Sequence, residues 1–304
     1  MKQILRITFG LTVSCLIAAL LMGGVFTITA KAKKENEYLN VQETMIGLLG
    51  YDKENPPPSD LRLYSIYRYV IDDNQEKYLG YMIPVGKGGE IGYKLLIITL
   101  DGKFQALHDV DITPEKATER RERKTALSAV LEPPKTFVYG DETVIVRMGG
   151  KRFAYLLPGE FQGFKTFINV MLALDPSFEI LGLEIMEHEE DPGLGGEIEQ
   201  DYFKNQFKNK TFEMVEELTV IKEPLPDEYR RILEQTHREK GVFSEEEIAR
   251  IRSKYQDQDI YALTGATISS KAVTDGVKGM IKRFAYRIEV LDRVIARQHV
   301  TAAF

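Results

Sequence analysis

Residues 77–107 read KYLGYMIPVGKGGEIGYKLLIITLDGKFQAL, and residues 151–181 read KRFAYLLPGEFQGFKTFINVMLALDPSFEIL. Set against each other without a gap, 74 residues apart, they share eight identities in 31 positions. These are Lys77/Lys151, Tyr81/Tyr155, Pro84/Pro158, Gly89/Gly163, Leu100/Leu174, Asp101/Asp175, Phe104/Phe178 and Leu107/Leu181. Met82/Leu156, Ile83/Leu157 and Tyr93/Phe167 keep their apolar character. Tyr78–Pro84 and Leu95–Leu100 have strand composition, and Asp101-Gly102 supplies a tight turn. A script used twice implies two related antiparallel units, 61–112 and 136–187, in an α+β protein.

Helical segments separate and follow these units. Thr113-Pro114-Glu115 has the cap, the proline and the first-turn acid of a helix start, and Pro133-Pro134 closes that segment. A helix is expected from Asp227 to Lys240, ending at Gly241, and Ser244 with Glu247 forms a capping box for the next, which presents Ile248, Ile251 and Tyr255. This pair, charged on most faces, reads as a solvated insertion. The last long helical pattern presents Ala272, Val273, Val277, Met280, Ile281, Phe284, Ile288 and Leu291 on one face.

Toward the N-terminus, Ile7–Ala30 is a run of 24 residues without a charge. As a helix it is about 36 Å long, enough for a hydrocarbon core of about 30 Å. Ala30-Lys31-Ala32 resembles a signal-peptidase site, but the apolar run exceeds a signal peptide's core and favours a retained anchor. Cys15 lies inside the run, with no lipobox before it, as a small apolar residue facing lipid. Residues 31–60 end in Pro56-Pro57-Pro58 and read as a stalk. The division expected is an anchor at 1–34, a first α+β half at 35–135, and a second half at 136–304 that carries an insertion at about 223–257.

Composition narrows the function. The chain has 304 residues and a formal charge of −6; beyond Lys2 and Arg6 it holds 38 Lys and Arg against 46 Asp and Glu, or −8. That balance argues against a nucleic-acid partner. One cysteine excludes a disulfide framework, a thiolate iron–sulfur cluster and a cysteine zinc site. Four histidines leave little for haem or a histidine-rich metal centre.

Two loops carry chemistry. Thr264-Gly265-Ala266-Thr267-Ile268-Ser269-Ser270-Lys271 lies between an expected strand at 260–263 and the last helix. It places hydroxyls and backbone N–H groups at a helix start, where a phosphate is attracted, although by itself it reads more simply as a cap. His188-Glu189-Glu190-Asp191-Pro192-Gly193-Leu194-Gly195-Gly196 follows the second hairpin unit. Its glycines let backbone pass close to a flat ligand, and a solvated acidic loop is the plainer alternative. It makes a poor metal site, because neighbouring side chains on extended chain point apart and no second histidine has suitable spacing.

In this order the two loops resemble the pattern H-x-E-T-P-G-L-G followed by [ST]-G-A-T-x-[ST]-S at a helix start. That is the pattern of the covalent-FMN-binding domain found in the G subunit of Rnf electron-transport complexes and in the C subunit of the sodium-pumping NADH:quinone oxidoreductase. The resemblance covers about 150–215 and 258–282 well and 5–30 loosely. It implies an FMN joined by a phosphoester to Thr267, a bond made by a separate flavin transferase. Thr264, Gly265 and Ala266 match the residues before that threonine, and Ile268 and Ser269 those after it. Glu190, Pro192, Gly193, Leu194 and Gly195 match the loop near the flavin. Asp191 stands where the family has threonine, and Tyr261 where it generally has Asp. A carboxylate near the ring lowers a flavin's reduction potential.

The implied protein is a membrane-anchored electron carrier within an Rnf-type or Nqr-type ion-translocating oxidoreductase. It has no separate catalytic site and its partners are other membrane proteins of the same complex. Its soluble part lies on the extracytoplasmic side of the inner (plasma) membrane. A stand-alone extracytoplasmic flavin carrier and a flavin-free scaffold or sensor of the same fold are the alternatives.

Overall fold

The computed structural model describes residues 2–86, 91–234 and 243–304 and divides into two units, 1–47 and 48–304. The first unit is helix α1 (Lys2–Leu48, which ends one residue into the second). Lys2–Ala30 has the length and composition to cross a membrane, with a mean hydropathy of 2.2. The expected stalk is instead helical as far as Leu48. Residues 31–48 lack proline, and the Pro56-Pro57-Pro58 breaker comes only after the helix has ended and the chain has turned at Gly50, whose φ is +85°.

The second unit is built on one eight-stranded antiparallel sheet. Its first half is β1 (Arg62–Asp73), β2 (Glu76–Val85), β3 (Gly92–Thr99) and β4 (Phe104–Val110). Its second half is β5 (Thr136–Met148), β6 (Lys151–Gln162), β7 (Phe167–Leu174) and β8 (Ile180–Glu187). The strand order β4-β3-β2-β1-β5-β6-β7-β8 is two four-stranded meanders joined through their first strands. The internal repeat is thus visible as a two-fold in the sheet. The ungapped register does not hold through the hairpins: β2 and β3 end their pairing at Val85–Gly92, whereas β6 and β7 pair as far as Gln162–Phe167 across a shorter turn. Gly89, the sequence match of Gly163, lies outside the described residues.

Between the halves run α2 (Pro114–Ala117) and α3 (Arg120–Val130), two helices where the sequence predicts one. Thr113 caps α2 as expected, but Thr118 turns its hydroxyl back onto the Glu115 carbonyl at 2.7 Å and the chain breaks at Glu119. Leu127 and Ala117 close a core on one face of the first half with Tyr67, Met82 and Leu95. Arg123, 5% exposed, is held there by the carbonyls of Ala117 (2.6 Å) and Thr118 (3.0 Å) and lies 3.9 Å over the Tyr67 ring.

After β8 come a 3-10 turn (Gly195–Glu199), α4 (Asp201–Lys204), α5 (Phe212–Glu217), β9 (Val220–Ile221), α6 (Asp227–Glu234), α7 (Glu245–Tyr255), β10 (Ile260–Tyr261) and α8 (Thr267–Arg297). β9 and β10 pair in parallel, so the strand expected at 260–263 is only two residues long. α8 lays Val273, Val277, Ile281, Phe284, Ile288 and Leu291 onto the other face of the sheet, in one core with Ile83 and Leu96 of the first half and Leu157, Leu172 and Ile185 of the second. One amphipathic helix thereby ties both repeats together.

The insertion is less solvated than its charge suggests. Tyr229, Ile232 and Leu233 of α6 and Ile251 and Tyr255 of α7 form a small core of their own, with the Tyr229 and Tyr255 rings stacked 4.9 Å apart. The expected capping box at Ser244 and Glu247 is present; the expected end of the preceding helix at Gly241 lies outside the described residues. Lys210 fastens this core from below, donating to the carbonyls of Gln256 (2.8 Å) and Gln258 (2.6 Å). Burial lowers its pKa to about 8. Between pH 8 and the unfolded value of 10.5 the unfolded chain binds the extra proton, so stability rises with pH across that window and is lost as pH falls back through it to 8. The thermal midpoint should therefore climb from about pH 7.5 to about pH 9.5, and Lys210→Met should flatten that climb.

Candidate functional site

The residues at the start of α8 form an unusual helix start. Ala266 occupies the cap position with φ −131° and ψ 38°, and no side chain caps the first turn. The hydroxyls expected as caps are engaged elsewhere. Ser270 accepts from the Leu263 N–H and donates to the Ala266 carbonyl, both at 3.0 Å, pinning the loop before the helix. Ser269 donates to Oε2 of Glu190. The first-turn N–H groups therefore stay available at the positive end of a 31-residue helix. Gly265, at φ +78°, makes the turn that brings them there.

The Ser269–Glu190 bond joins the two loops, 79 residues apart in sequence. Glu190 is 5% exposed, and its second oxygen accepts the Lys165 backbone N–H at 3.0 Å. Its own N–H donates to Nδ1 of His188 at 3.1 Å, so His188 orients the loop. Glycines make room for the carboxylate: a Cβ on Gly163 would lie 2.5 Å from Oε1, and one on Gly195 would lie 2.7 Å from Oε2 and 2.9 Å from the Ser269 hydroxyl.

Around this junction is a cavity of about 260 Å³. Of the residues singled out from sequence, Glu190, Asp191, Leu194, Gly195, Gly265, Ala266, Thr267, Ile268 and Ser269 line it. Thr264, Pro192 and Gly193 do not; they are exposed. The tip of the β6–β7 hairpin belongs to the site without having announced itself in the sequence. Gly163 shows there only as a repeat position, Phe164 lines the cavity, and Lys165 closes one side through an ion pair with Asp191. That pair raises the Lys165 pKa. Phe164, Leu194 and Ile268 are exposed at 60%, 47% and 60% and give the cavity a large apolar rim. Among the described residues no cluster of His, Cys, Asp and Glu is suited to a metal ion.

Tyr261 is not in the cavity. Its ring enters the core of the insertion and its hydroxyl donates to Gln258, while Gln206 holds its backbone, accepting from the N–H at 2.8 Å and donating to the carbonyl at 3.3 Å. Nearby Asp259 is also engaged, accepting from the Thr219 N–H (2.8 Å) and hydroxyl (2.6 Å). The departure at 261 is thus the residue on which the insertion packs.

Residues 163–282, which span the hairpin tip, both loops and the first half of α8, match the family model of the FMN-binding domain. The resemblance read from the two loops is therefore shown. The G subunit of the proton-translocating ferredoxin:NAD(+) oxidoreductase complex of Clostridium ljungdahlii is 32% identical over 135 residues, 44% of this chain and 55% of that protein. The G subunit of the Na(+)-translocating ferredoxin:NAD(+) oxidoreductase complex of Acetobacterium woodii is 27% identical over 175 residues, 57% and 66% of the two chains. The G subunit of an ion-translocating oxidoreductase complex from Haemophilus influenzae is 35% identical over 74 residues, 24% and 36%. The chain thus spans between about a third and two thirds of the length of these relatives. Among solved structures, NqrC of Shewanella oneidensis covers 46% of this chain and 55% of its own at 17% identity, with a TM-score of 0.34. The C subunit of the Na(+)-translocating NADH-quinone reductase of Parabacteroides distasonis covers 64% and 74%, also at 17% and 0.34.

Proposed function

We propose that this chain is a membrane-anchored electron carrier whose FMN is joined to Thr267 by a phosphoester, working within an Rnf-type or Nqr-type ion-translocating oxidoreductase. The observation that carries the reading is the meeting of the two loops at the Ser269–Glu190 bond, with Thr267 on the wall of the cavity they enclose. The residues fit the cofactor. Uncapped N–H groups of the first turn of α8 suit a phosphate, and Gly195 and Gly265 put bare backbone in the cavity wall. FMN, when bound, takes up and returns electrons one or two at a time.

Each residue then has a defined task. The Thr267 hydroxyl, half-buried at the cavity wall, is the ester oxygen, and a flavin transferase is the partner required for maturation. Glu190 and Ser269 fix the distance between the loops. Phe164, Leu194 and Ile268 offer apolar surface to a flat ring and keep water from it. The one hydroxyl–carboxylate pair in the cavity, Ser269 with Glu190, is buried and holds the two loops together, which suits a relay between membrane partners better than an independent catalyst. Lys2–Ala30 serves as the anchor, with the sheet domain on the extracytoplasmic side, where covalent attachment prevents loss of the cofactor.

The charge expected from Asp191 is balanced by Lys165. Protein purified from membranes should hold a flavin that is reversibly bleached by dithionite. Lys165→Met should lower its midpoint potential, by leaving Asp191 unbalanced, and Asp191→Asn should raise it. A redox titration of the three proteins checks both signs; equal midpoints would place the ring away from this pair.

A further inference from the structure

The sheet has two gaps, related by its internal two-fold, and only one is filled. In the first half β1 and β2 pair from Asp73–Glu76 to Tyr67–Met82 and then part, leaving 62–66 and 83–85 without each other. In the second half β5 and β6 pair from Met148–Lys151 to Val144–Leu156 and then part, leaving 136–143 and 157–162 without each other.

The first gap is occupied by the chain's own C-terminal segment. Ala302 forms an antiparallel bridge with Val85, on the edge of β2 opposite the one that β3 occupies. The Ala303 N–H donates to the Pro84 carbonyl at 3.0 Å, and the Gly86 N–H donates to the Thr301 carbonyl at 3.3 Å. From β5, Arg147 donates to the Ala303 carbonyl at 2.8 Å. A segment of this chain has thus taken up ladder groups that β2 leaves free where it parts from β1.

The second gap is a cleft of about 560 Å³ running along residues 139–143 of β5 and 157–161 of β6, with Met280 and Arg283 of α8 along one side. Both strands are built to part here. Asp141 pairs with Arg68 and Tyr139 with Tyr69, so Gly140 is an unpaired bulge that bends β5 away. Pro158, two residues past the last β5–β6 pair, brings no N–H to a ladder. Five residues on each wall span about 16 Å of strand. Leu157, Phe161 and Met280 give the cleft apolar surface, and Glu142, Glu160 and Arg283 give it charges of both signs.

We propose that this cleft is a docking slot for an extended segment of another protein chain, which enters as a ninth strand with alternating apolar and charged residues. The argument rests on the filled sister gap, not on the flavin. The same docking is therefore expected of Thr267→Ala.

The test places a photo-crosslinking amino acid at exposed Glu160 or exposed Arg283 of the full chain in its native membrane, with exposed Glu76 as control. Expected are cross-links from both slot positions to one contiguous segment of one other protein. The complex isolated with that protein should show amide exchange at 140–143 and 157–161 slowed at least about tenfold relative to the chain alone. Unchanged protection of 62–73 would show that the variants are folded. The proposal is overturned by cross-linking no greater than at Glu76, by products with lipid or with a second copy of this chain, or by a cross-linked complex whose slot amides exchange as before.

Discussion

Glu190→Ala should lower the thermal midpoint by about 5–10 °C and leave the protein without flavin, because one carboxylate holds three segments of the site together and an unformed site is not loaded. Its oxygens accept from the Ser269 hydroxyl and the Lys165 backbone N–H, and both donors are left without an acceptor when it goes. A buried charged acceptor of this kind is worth about 2–3 kcal/mol, which for a domain of this size is a shift of several degrees. The loss of packing adds to it, since Gly163 and Gly195 have no side chains with which to fill the space vacated. Glu190→Gln keeps the volume and one acceptor and should lose less than half as much. Thermal unfolding followed by circular dichroism, with flavin content read on the same samples, measures both effects.

Thr267→Ala should abolish covalent flavin completely and leave the fold intact. Among the described residues the Thr267 hydroxyl has no hydrogen-bond partner, so removing it costs no internal bond. Alanine is also the better helix former at that position. The variant should therefore melt within about 1 °C of the wild type while showing no flavin fluorescence on a denaturing gel. That separation of loading from stability distinguishes an attachment residue from a capping one. If the threonine served only as a cap, its removal would cost about 1 kcal/mol and leave loading unchanged.

The repeat was legible because strand composition, turns and apolar positions recur together, and the sheet returns them as two meanders. α8 was legible for a similar reason: its apolar positions recur at helical spacing along most of its length, and nearly all of them are buried. The two loops could be read as motifs, but not their junction. Nothing in a single sequence says that Ser269 gives its hydrogen bond to Glu190 and not to its own helix, since a serine at a helix start usually caps it. The hairpin tip at Phe164 and Lys165 carried no signal, because its place depends on how far β6 and β7 run before they turn. Tyr261 looked like a defect in a flavin motif. In the structure it belongs to a different problem, the seating of an inserted helical pair whose charged sequence hid a small aromatic core. The gap between β5 and β6 could not be anticipated either, since a bulge at Gly140 emerges only when both neighbouring strands are in place.

The intact mass of the full chain, expressed in membranes together with a flavin transferase and followed by peptide mapping, tests the central claim most directly. The account predicts a single adduct equal to FMN less water, located on the peptide that contains Thr264–Lys271. An unmodified mass, or an adduct on any other peptide, would contradict it.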